Sequence, residues 1–294
     1  MTGGRVAGKR IVVSGSSKGL GRAFAVALAA EGARLVVNGT DGAAVEAVVD
    51  EITGAGGTAT SVVGSVADDD VAAALVQRCV DAYGGIDVAI PNAAVVHPQS
   101  FVDTPIDVFD ATVAVNLRGA WSVCRHAAQA MREGGAGGLL LLVASRMAVA
   151  TGGLQFAAAY AATKGAIMGL LYALSGELEP DGIRVNALSP VALTGTTEPS
   201  VRDLQAEQRA AGQTPTSADE MGLYPPEAVA PLVVHLCSDD AADLSNQMIR
   251  FDGRRLALWA HPREALIIDR EEWTAASVAA HFPSRQEPAW QLTP

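Results

Sequence analysis

Tyr160 and Lys164 are the two residues whose types and spacing could carry acid–base chemistry. They stand four positions apart in an Ala-rich stretch with helical periodicity, so their side chains share one helix face. A tyrosine can donate or accept a proton during a reaction if its pKa, about 10 in water, is lowered. A neighbouring ammonium favours the phenolate and lowers that pKa. The pair allows proton transfer by Tyr160 with assistance from Lys164, although most pairs of this spacing, taken alone, have no such function.

Three glycines near the start of the chain form a second pattern. Gly15, Gly19 and Gly21 lie between a short apolar run at residues 10–14 and an Ala-rich helical pattern that extends to Glu31. A dinucleotide pyrophosphate is bound by backbone N–H groups at a helix N-terminus, and the chain approaches it closely only where side chains are absent. The pattern predicts a dinucleotide-binding loop; outside this context it would indicate only a tight turn.

Both patterns resemble motifs of the short-chain dehydrogenase/reductase family. Residues 14–21 resemble its Thr-Gly-x-x-x-Gly-x-Gly loop with serine in place of threonine, and residues 160–164 resemble its Tyr-x-x-x-Lys motif. The resemblance extends from about residue 9 to residue 253. It implies an oxidoreductase that moves a hydride between NADP(H) or NAD(H) and a carbonyl or secondary alcohol of a small-molecule substrate.

The resemblance also assigns catalytic roles. Tyr160 exchanges the proton, and Lys164 lowers the pKa of Tyr160 and holds the nicotinamide ribose. Ser145 corresponds to the serine that orients the substrate oxygen; it precedes Tyr160 by 15 residues, about two more than in the family pattern, and the loop through Gly152-Gly153 can absorb the insertion. Asn116 corresponds to the asparagine that interrupts a long helix and completes the proton path through a water.

The nucleotide contacts implied by the resemblance follow the ends of successive strands. The glycine loop is expected to supply Gly15, Ser17, Lys18, Gly19, Leu20 and Gly21. Later strands are expected to supply Asn38, Thr40, Ser65, Val66, Asn92, Ala93, Ala94, Pro190 and Leu193, and the helix adds Tyr160 and Lys164. Thr194 or Thr196 is expected to provide a hydroxyl contact.

The end of the second strand bears on which nucleotide is used. An NAD enzyme presents a carboxylate there, which accepts from the ribose hydroxyls and repels a 2′-phosphate. Here the sequence is Asn38-Gly39-Thr40, with no acid until Asp41, and Lys18 stands where NADP enzymes of the family carry a basic residue. NADP(H) is therefore favoured, and NAD(H) is the alternative.

The elements that must position these residues alternate along the chain. β-type runs at residues 10–14, 34–38, 58–64, 87–91, 138–144, 183–188 and 248–251 are separated by helical patterns, of which 105–132 forms one long helix or two consecutive ones. This alternation requires crossovers and a parallel sheet covered on both faces. We expect a single-domain, doubly wound, Rossmann-like α/β fold over residues 1–255. Residues 191–224 show no clear long period and suggest a mobile lid segment.

Composition limits the other possibilities. The net charge is −11 and the pI is about 4.9, so the chain has no broad basic surface for nucleic acid or an anionic membrane. No apolar run reaches the roughly 18 residues of a membrane span. Three widely spaced cysteines predict reduced thiols and a cytoplasmic location.

Three further expectations concern partners and alternatives. The family resemblance implies a homotetramer or homodimer formed through the long helices, and residues 256–294 are expected to pack on the domain or on a neighbouring subunit. A nucleotide-binding sensor or partner without catalysis is the main alternative to an enzyme. No metal site is expected, because the five histidines show no ligand spacing.

Overall fold

The structure of the protein is a computed structural model, and it describes residues 4–149, 157–195, 197–264, 267–269 and 271–281. Eight strands form one sheet in the order β3-β2-β1-β4-β5-β6-β7-β8. All neighbouring pairs are parallel except β7 with β8. The strands are β1 Arg10–Val13, β2 Arg34–Gly39, β3 Thr58–Val63, β4 Val88–Ile90, β5 Gly138–Val143, β6 Ile183–Pro190, β7 Met248–Phe251 and β8 Leu256–Leu258.

Helices cover both faces of the sheet, which confirms the predicted doubly wound α/β fold. Strand order reverses between β1 and β4, and in such sheets the ligand crevice lies outside the carboxyl ends of the strands at that point. The helices are α1 Gly19–Ala30, α2 Gly42–Gly54, α3 Asp69–Tyr83, α4 Ile106–Val113, α5 Gly119–Gly134, α6 Ala158–Glu177, α7 Glu198–Ala210, α8 Ala230–Cys237 and α9 Ala275–His281.

Two apolar cores lie on opposite sides of the central strands. Successive residues of a strand point to opposite faces, so Leu139 and Leu141 of β5 belong to the core beneath α1, α2 and α8. Leu140 and Leu142 belong to the core beneath α3, α5 and α6. The Leu-rich run is continuous because β5 is buried on both faces, and this rigid centre carries the strand ends that form the site.

The long helical pattern at residues 105–132 forms one continuous helical segment with a change of winding in its middle. α4 passes into a π-helical turn, Ala114–Arg118, and then into α5. A π turn widens the helix by one residue and is frequent at functional sites. Asn116 is the buried residue of this turn.

Two parts of the chain differ from expectation. Residues 198–210 form α7, although no helical period is evident in the sequence; the reason is that Val201 is the sole buried residue of this polar surface helix. β8 lies beyond the expected boundary at residue 255 and adds an antiparallel edge to the sheet.

The chain divides into two compact units, with the boundary between Trp259 and Ala260. The packing expected for residues 256–294 as an extension stays a prediction. No helix in the described ranges is long and apolar enough to cross a membrane.

Candidate active site

The glycine loop joins β1 to α1 and depends on glycine for two separate reasons. Gly15 has φ +62° and Gly19 has φ +55°, which residues with a Cβ adopt rarely. A Cβ at Gly15 would lie 2.6 Å from the Ala93 Cα, and one at Gly21 would lie 2.3 Å from the Gly15 carbonyl oxygen. The loop is therefore held tightly against the start of α1 and against the chain that follows β4.

Gly19 differs from the other two because the space beside it is open. The nearest side-chain atoms to a Cβ placed there belong to Thr194, at 4.0 Å. Lys18 caps α1 with its backbone, and no side chain accepts from the first N–H groups of that helix. These are the properties that let a pyrophosphate approach a helix N-terminus, so the loop fits a dinucleotide.

Hydrogen bonds fix this loop to the carboxyl ends of two neighbouring strands, β2 and β4. Asn92, after β4, donates from Nδ2 to the carbonyls of Ser14 and Gly15, each at 3.0 Å. The Ser14 hydroxyl accepts from the backbone N–H groups of Asn92 and Ala93, each at 3.1 Å. Asn38 accepts from the Gly15 N–H at 3.3 Å. The loop shape is thus held by the side chains of Ser14, Asn38 and Asn92.

Tyr160 lies in the first turn of α6, beside the carboxyl end of β5. The hydroxyl of Ser145, the residue that caps the short 3-10 turn after β5, is near enough to its phenol to lower the pKa of Tyr160. Burial raises the pKa of Tyr160, and the hydrogen bond with Ser145 offsets part of the rise. The structure therefore brings together two side chains that are 15 positions apart in the sequence; the Gly152-Gly153 loop lies outside the described residues.

Lys164 lies one turn further along α6 and is 2% exposed. Its Nζ donates to the Val143 carbonyl at 2.7 Å and lies 5.6 Å from the centre of the Tyr160 ring. Burial lowers the pKa of Lys164 to about 8. The two side chains share one helix face, as predicted from their spacing.

The net pKa shift of Tyr160 is opposite in direction to the shift expected from Lys164, whose own influence stays a prediction. We expected the pKa of Tyr160 to be lowered by the ammonium, but the net change is a rise. The physical reason is desolvation, because taking the phenolate out of water costs more than the Ser145 hydrogen bond recovers. A phenol with a raised pKa stays protonated at neutral pH, which suits a proton donor.

Asn116 reaches from the π turn to the chain after β4 and to α6. Its Oδ1 accepts from the Val95 N–H at 2.8 Å, and its Nδ2 donates to the Val95 carbonyl at 2.9 Å and to the Thr163 hydroxyl at 3.3 Å. The side chain is 1% exposed. A single amide thus joins three elements around the Tyr160 turn.

The chain after β6 faces the glycine loop. Pro190 ends β6, and the Leu193 N–H donates to the Tyr224 carbonyl at 2.7 Å. The Arg254 guanidinium lies over the Tyr224 ring, 4.3 Å from its centre. Because the Leu193 N–H is engaged, any contact of this residue with a carboxamide falls to its other backbone group. Thr196 lies outside the described residues.

Comparisons with known proteins agree with this geometry. A family model described as enoyl-(acyl carrier protein) reductase matches residues 15–253. The chain belongs to the short-chain dehydrogenase/reductase family. The expected family and oxidoreductase class are confirmed.

Three relatives of this short-chain dehydrogenase/reductase illustrate the similarity. L-rhamnose 1-dehydrogenase (NAD(P)(+)) of Azotobacter vinelandii is 34% identical over 83% of this chain and 95% of its own. A short-chain dehydrogenase structure from Mycobacterium avium is 33% identical, covers 94% of both chains and has a TM-score of 0.79. A protein provisionally named NAD(P)-dependent gluconate 5-dehydrogenase, from Beutenbergia cavernae, was solved with NADP at low occupancy; it is 31% identical, covers 84% of this chain and 96% of its own, and has a TM-score of 0.74.

Not every expected nucleotide contact points to the crevice of this family member. Asn38 is 1% exposed and uses its amide to bridge Gly15, Val62 and Gly64. Val66 is buried, and a Cβ at Gly119 would lie 2.8 Å from its Cγ2. These two residues support the crevice from within the core, so their side chains are structural. Ser17, Lys18, Leu20, Thr40, Ser65 and Ala94 are at least partly exposed around it.

Two polar residues of the site were missed by the sequence analysis. The Ser16 hydroxyl donates to the Val13 carbonyl at 2.7 Å and accepts from the Asn38 N–H at 2.9 Å, which ties the loop to β2. Thr163 lies beside Lys164 and contacts Asn116. For Thr163 the available signal was a hydroxyl residue at a buried helix position, where such side chains need a hydrogen-bond partner. Within the described residues, no group of three or more His, Cys, Asp or Glu side chains is placed to hold a metal.

Proposed function

We propose that the protein is an NAD(P)-dependent dehydrogenase or reductase in which Tyr160 exchanges a proton with the oxygen of a secondary alcohol or ketone. The observation that carries the proposal is the contact of the Tyr160 phenol with Ser145, above a buried Lys164 and beside an open glycine loop. The glycine loop and the ends of β4 and β6 would hold a nicotinamide dinucleotide, which would accept or donate the hydride.

The side chains divide the remaining work. In reduction, the Tyr160 O–H donates to the carbonyl oxygen as negative charge develops there, and the Ser145 hydroxyl holds that oxygen in place. In oxidation, the phenolate accepts the alcohol proton. Since burial raises the pKa of Tyr160, we expect reduction to be favoured at neutral pH and oxidation to become faster as the pH rises.

The deciding experiment follows the absorbance of reduced nicotinamide with a panel of ketones and secondary alcohols, including L-rhamnose and gluconate because similar proteins bear those names. Tyr160→Phe keeps the ring and removes the proton, so turnover should fall by about 100- to 10,000-fold. Tyr172→Phe, elsewhere on α6, is the matched control. Tight nucleotide binding without turnover, or an active Tyr160→Phe, would overturn the proposal.

We further propose a preference for NADP(H) over NAD(H). Thr40 and Lys18 are exposed at the expected adenosine end of the crevice, and the first carboxylate after β2, that of Asp41, caps α2 by accepting from the Ala44 N–H at 3.2 Å. The preference is measured as kcat/KM for NADP(H) divided by kcat/KM for NAD(H). Thr40→Asp should reverse it by adding a charge that repels a 2′-phosphate, and a ratio below one in the wild type would contradict the proposal.

We also propose a homodimer or homotetramer. The long helical segment exposes large apolar side chains, Ile106 at 72%, Phe109 at 38% and Trp121 at 52%, and such patches mark interaction sites. Light scattering should show an oligomer that Trp121→Glu shifts to smaller species.

A cytoplasmic location is proposed because Cys79, Cys124 and Cys237 are free and buried.

A further inference from the structure

Thr163 occupies a buried position between the proposed proton donor and its lysine. It is 2% exposed and lies in the second turn of α6, next to Lys164 and three residues after Tyr160. Its Oγ1 donates to the Tyr160 carbonyl at 2.7 Å and accepts from Asn116 Nδ2 at 3.3 Å. One hydroxyl therefore connects the backbone of Tyr160 with the π turn on the neighbouring helix.

The direction of these hydrogen bonds is fixed by the surroundings. Asn116 Oδ1 accepts from the Val95 N–H, so its Nδ2 must face the Val95 carbonyl and Thr163. An amide nitrogen only donates, and hence the Thr163 oxygen must accept from it and place its own hydrogen on the Tyr160 carbonyl. A chain of donors runs from Asn116 through Thr163 to the residue that carries the phenol.

Thr112, the other buried threonine among the described helices, makes a useful comparison with Thr163. Thr112 is 1% exposed, and its Oγ1 donates to the Val108 carbonyl at 2.7 Å within α4. That bond stays inside one helix, as is usual for threonine. Thr163 makes the same kind of bond and, in addition, accepts from a second element, so its loss would disturb the relation between two elements rather than one turn.

The second connection to the Tyr160 turn lies at its start. Ala157, which precedes α6, forms a parallel β-bridge with Gln99 in the chain after β4. Asn116 holds the same chain at Val95. The first turn of α6 is thus attached to the strand-end segment twice, once through the backbone and once through the Thr163 hydroxyl.

We propose that Thr163 is a positioning residue that holds the first turn of α6, and with it the Tyr160 phenol, in register with Ser145 and the strand ends. This inference rests on the proposed function of Tyr160. Without the hydroxyl, Asn116 keeps a buried N–H with no acceptor, and the π turn or α6 must move to satisfy it. Displacement of a reacting group by about 1 Å can lower a rate by about 100-fold.

The test compares Thr163→Val, which keeps the shape and removes the hydroxyl, with Thr163→Ser, which keeps the hydroxyl. We expect kcat to fall by about 10- to 100-fold in Thr163→Val, with little change in KM for the nucleotide, and to recover in Thr163→Ser. Thr112→Val is the matched control for loss of a buried helix hydroxyl, and it should leave kcat unchanged.

A pH profile separates positioning from general destabilisation. The groups that act on the pKa of the phenol are its burial and the Ser145 hydroxyl, and the neighbouring cation on its own helix is Lys164. The Ser145 hydrogen bond lowers the pKa of Tyr160, so a displaced phenol should titrate higher. The midpoint of the rise in kcat/KM for alcohol oxidation should therefore move to higher pH in Thr163→Val and stay in place in Thr112→Val.

If Thr163→Val does not fold, Thr163→Ala takes its place. Thr163→Ala and Thr163→Ser differ from each other by the hydroxyl alone, so their comparison tests the same role. Unchanged kcat and pH midpoint in the hydroxyl-free variants, with Tyr160→Phe inactive, would overturn the role of Thr163 and leave the proposed function intact. An active Tyr160→Phe would instead overturn the proposed function.

Discussion

The amino ends and the carboxyl ends of the strands, here called the amino edge and the carboxyl edge of the sheet, differ in how their charged groups are paired. At the amino edge, charges are neutralised in pairs: Lys9 with Asp239 at 2.7 Å, Arg10 with Asp87 at 2.6 Å and Arg132 with Asp181 at 2.5 Å. At the carboxyl edge, Lys164 is buried, and within the described part of the chain it forms no salt bridge. Its Nζ donates to the Val143 carbonyl and lies 5.6 Å from the centre of the Tyr160 ring.

The presence of a cavity does not show which edge of the sheet carries the chemistry. A groove of about 720 Å³ opens at the amino edge, and its lining includes Lys9, Asp87, Arg184 and Asp239. These charges are already satisfied, since Arg184 donates to the carbonyls of Ala241 and Leu244. Paired charges stabilise a fold, whereas chemistry needs groups whose proton affinity the surroundings have shifted. The reactive edge is therefore the one where a buried cation has no counter-ion among the described residues.

The largest expected effect comes from Lys164→Met. Turnover should fall by about 100- to 10,000-fold. The free energy of unfolding at pH 7, measured with urea and without nucleotide, should rise by about 1–3 kcal/mol, because the variant no longer buries an unpaired charge.

The pH dependence of that stability has a definite sign. The pKa of Lys164 is about 8 in the folded protein, against 10.5 for an unperturbed lysine, so unfolding takes up a proton between these values. The wild type should gain stability from pH 8 towards pH 10.5, and Lys164→Met should lose this gain. If Lys164→Met were less stable than the wild type at pH 7, the claim that the carboxyl edge buries an unpaired charge would be wrong.

The next effect compares two crowded glycines, one at each edge. A Cβ at Gly21 would lie 2.3 Å from the Gly15 carbonyl oxygen, and one at Gly137 would lie 2.4 Å from the Gly182 carbonyl oxygen. Alanine at either position should cost about 1–3 kcal/mol by overpacking. Only Gly21→Ala should also weaken nucleotide binding, measured by fluorescence titration. Equal loss of binding in both variants would show that the edges are not independent.

Asp87→Asn tests a partly buried pair at the amino edge. Burial raises the pKa of Asp87, but the hydrogen bonds and charge of Arg10 outweigh it and hold the pKa below its usual value. Removing the charge should cost about 1–3 kcal/mol of unfolding free energy at pH 7 and leave kcat unchanged.

The depressed pKa of Asp87 also sets a pH window. Its stabilisation is present above the ordinary aspartate pKa of about 4 and is lost as the pH falls through the folded value. Asp87→Asn should reduce that acid dependence in urea titrations from pH 6 downward. A fall in kcat at unchanged nucleotide affinity would argue that this edge takes part in turnover.

Lys9→Ala has the smallest expected effect. Its partner Asp239 is 88% exposed, and exposed pairs contribute about 0–1 kcal/mol. Thermal denaturation and kcat should both stay close to wild type. A large loss of stability would show that the amino-edge groove depends on this contact.

Much of the fold and part of the site followed from local patterns. Strand and helix alternation predicted the doubly wound sheet, and the spacing of Tyr160 and Lys164 placed them on one helix face. The positions of Gly15, Gly19 and Gly21 predicted the loop before α1. These features depend on neighbours within a few residues, where helical period and the missing Cβ decide the geometry.

Other features were decided only by tertiary structure. These features join residues that are far apart in the chain. Ser145 acts on Tyr160, Asn116 contacts Val95 and Thr163, and the Asn38 side chain points inward to Val62. The helix α7 was hidden because a polar surface helix carries little periodic signal. The pKa directions of Tyr160 and Lys164 depend on burial, and burial is a property of the packed protein rather than of any stretch of its sequence.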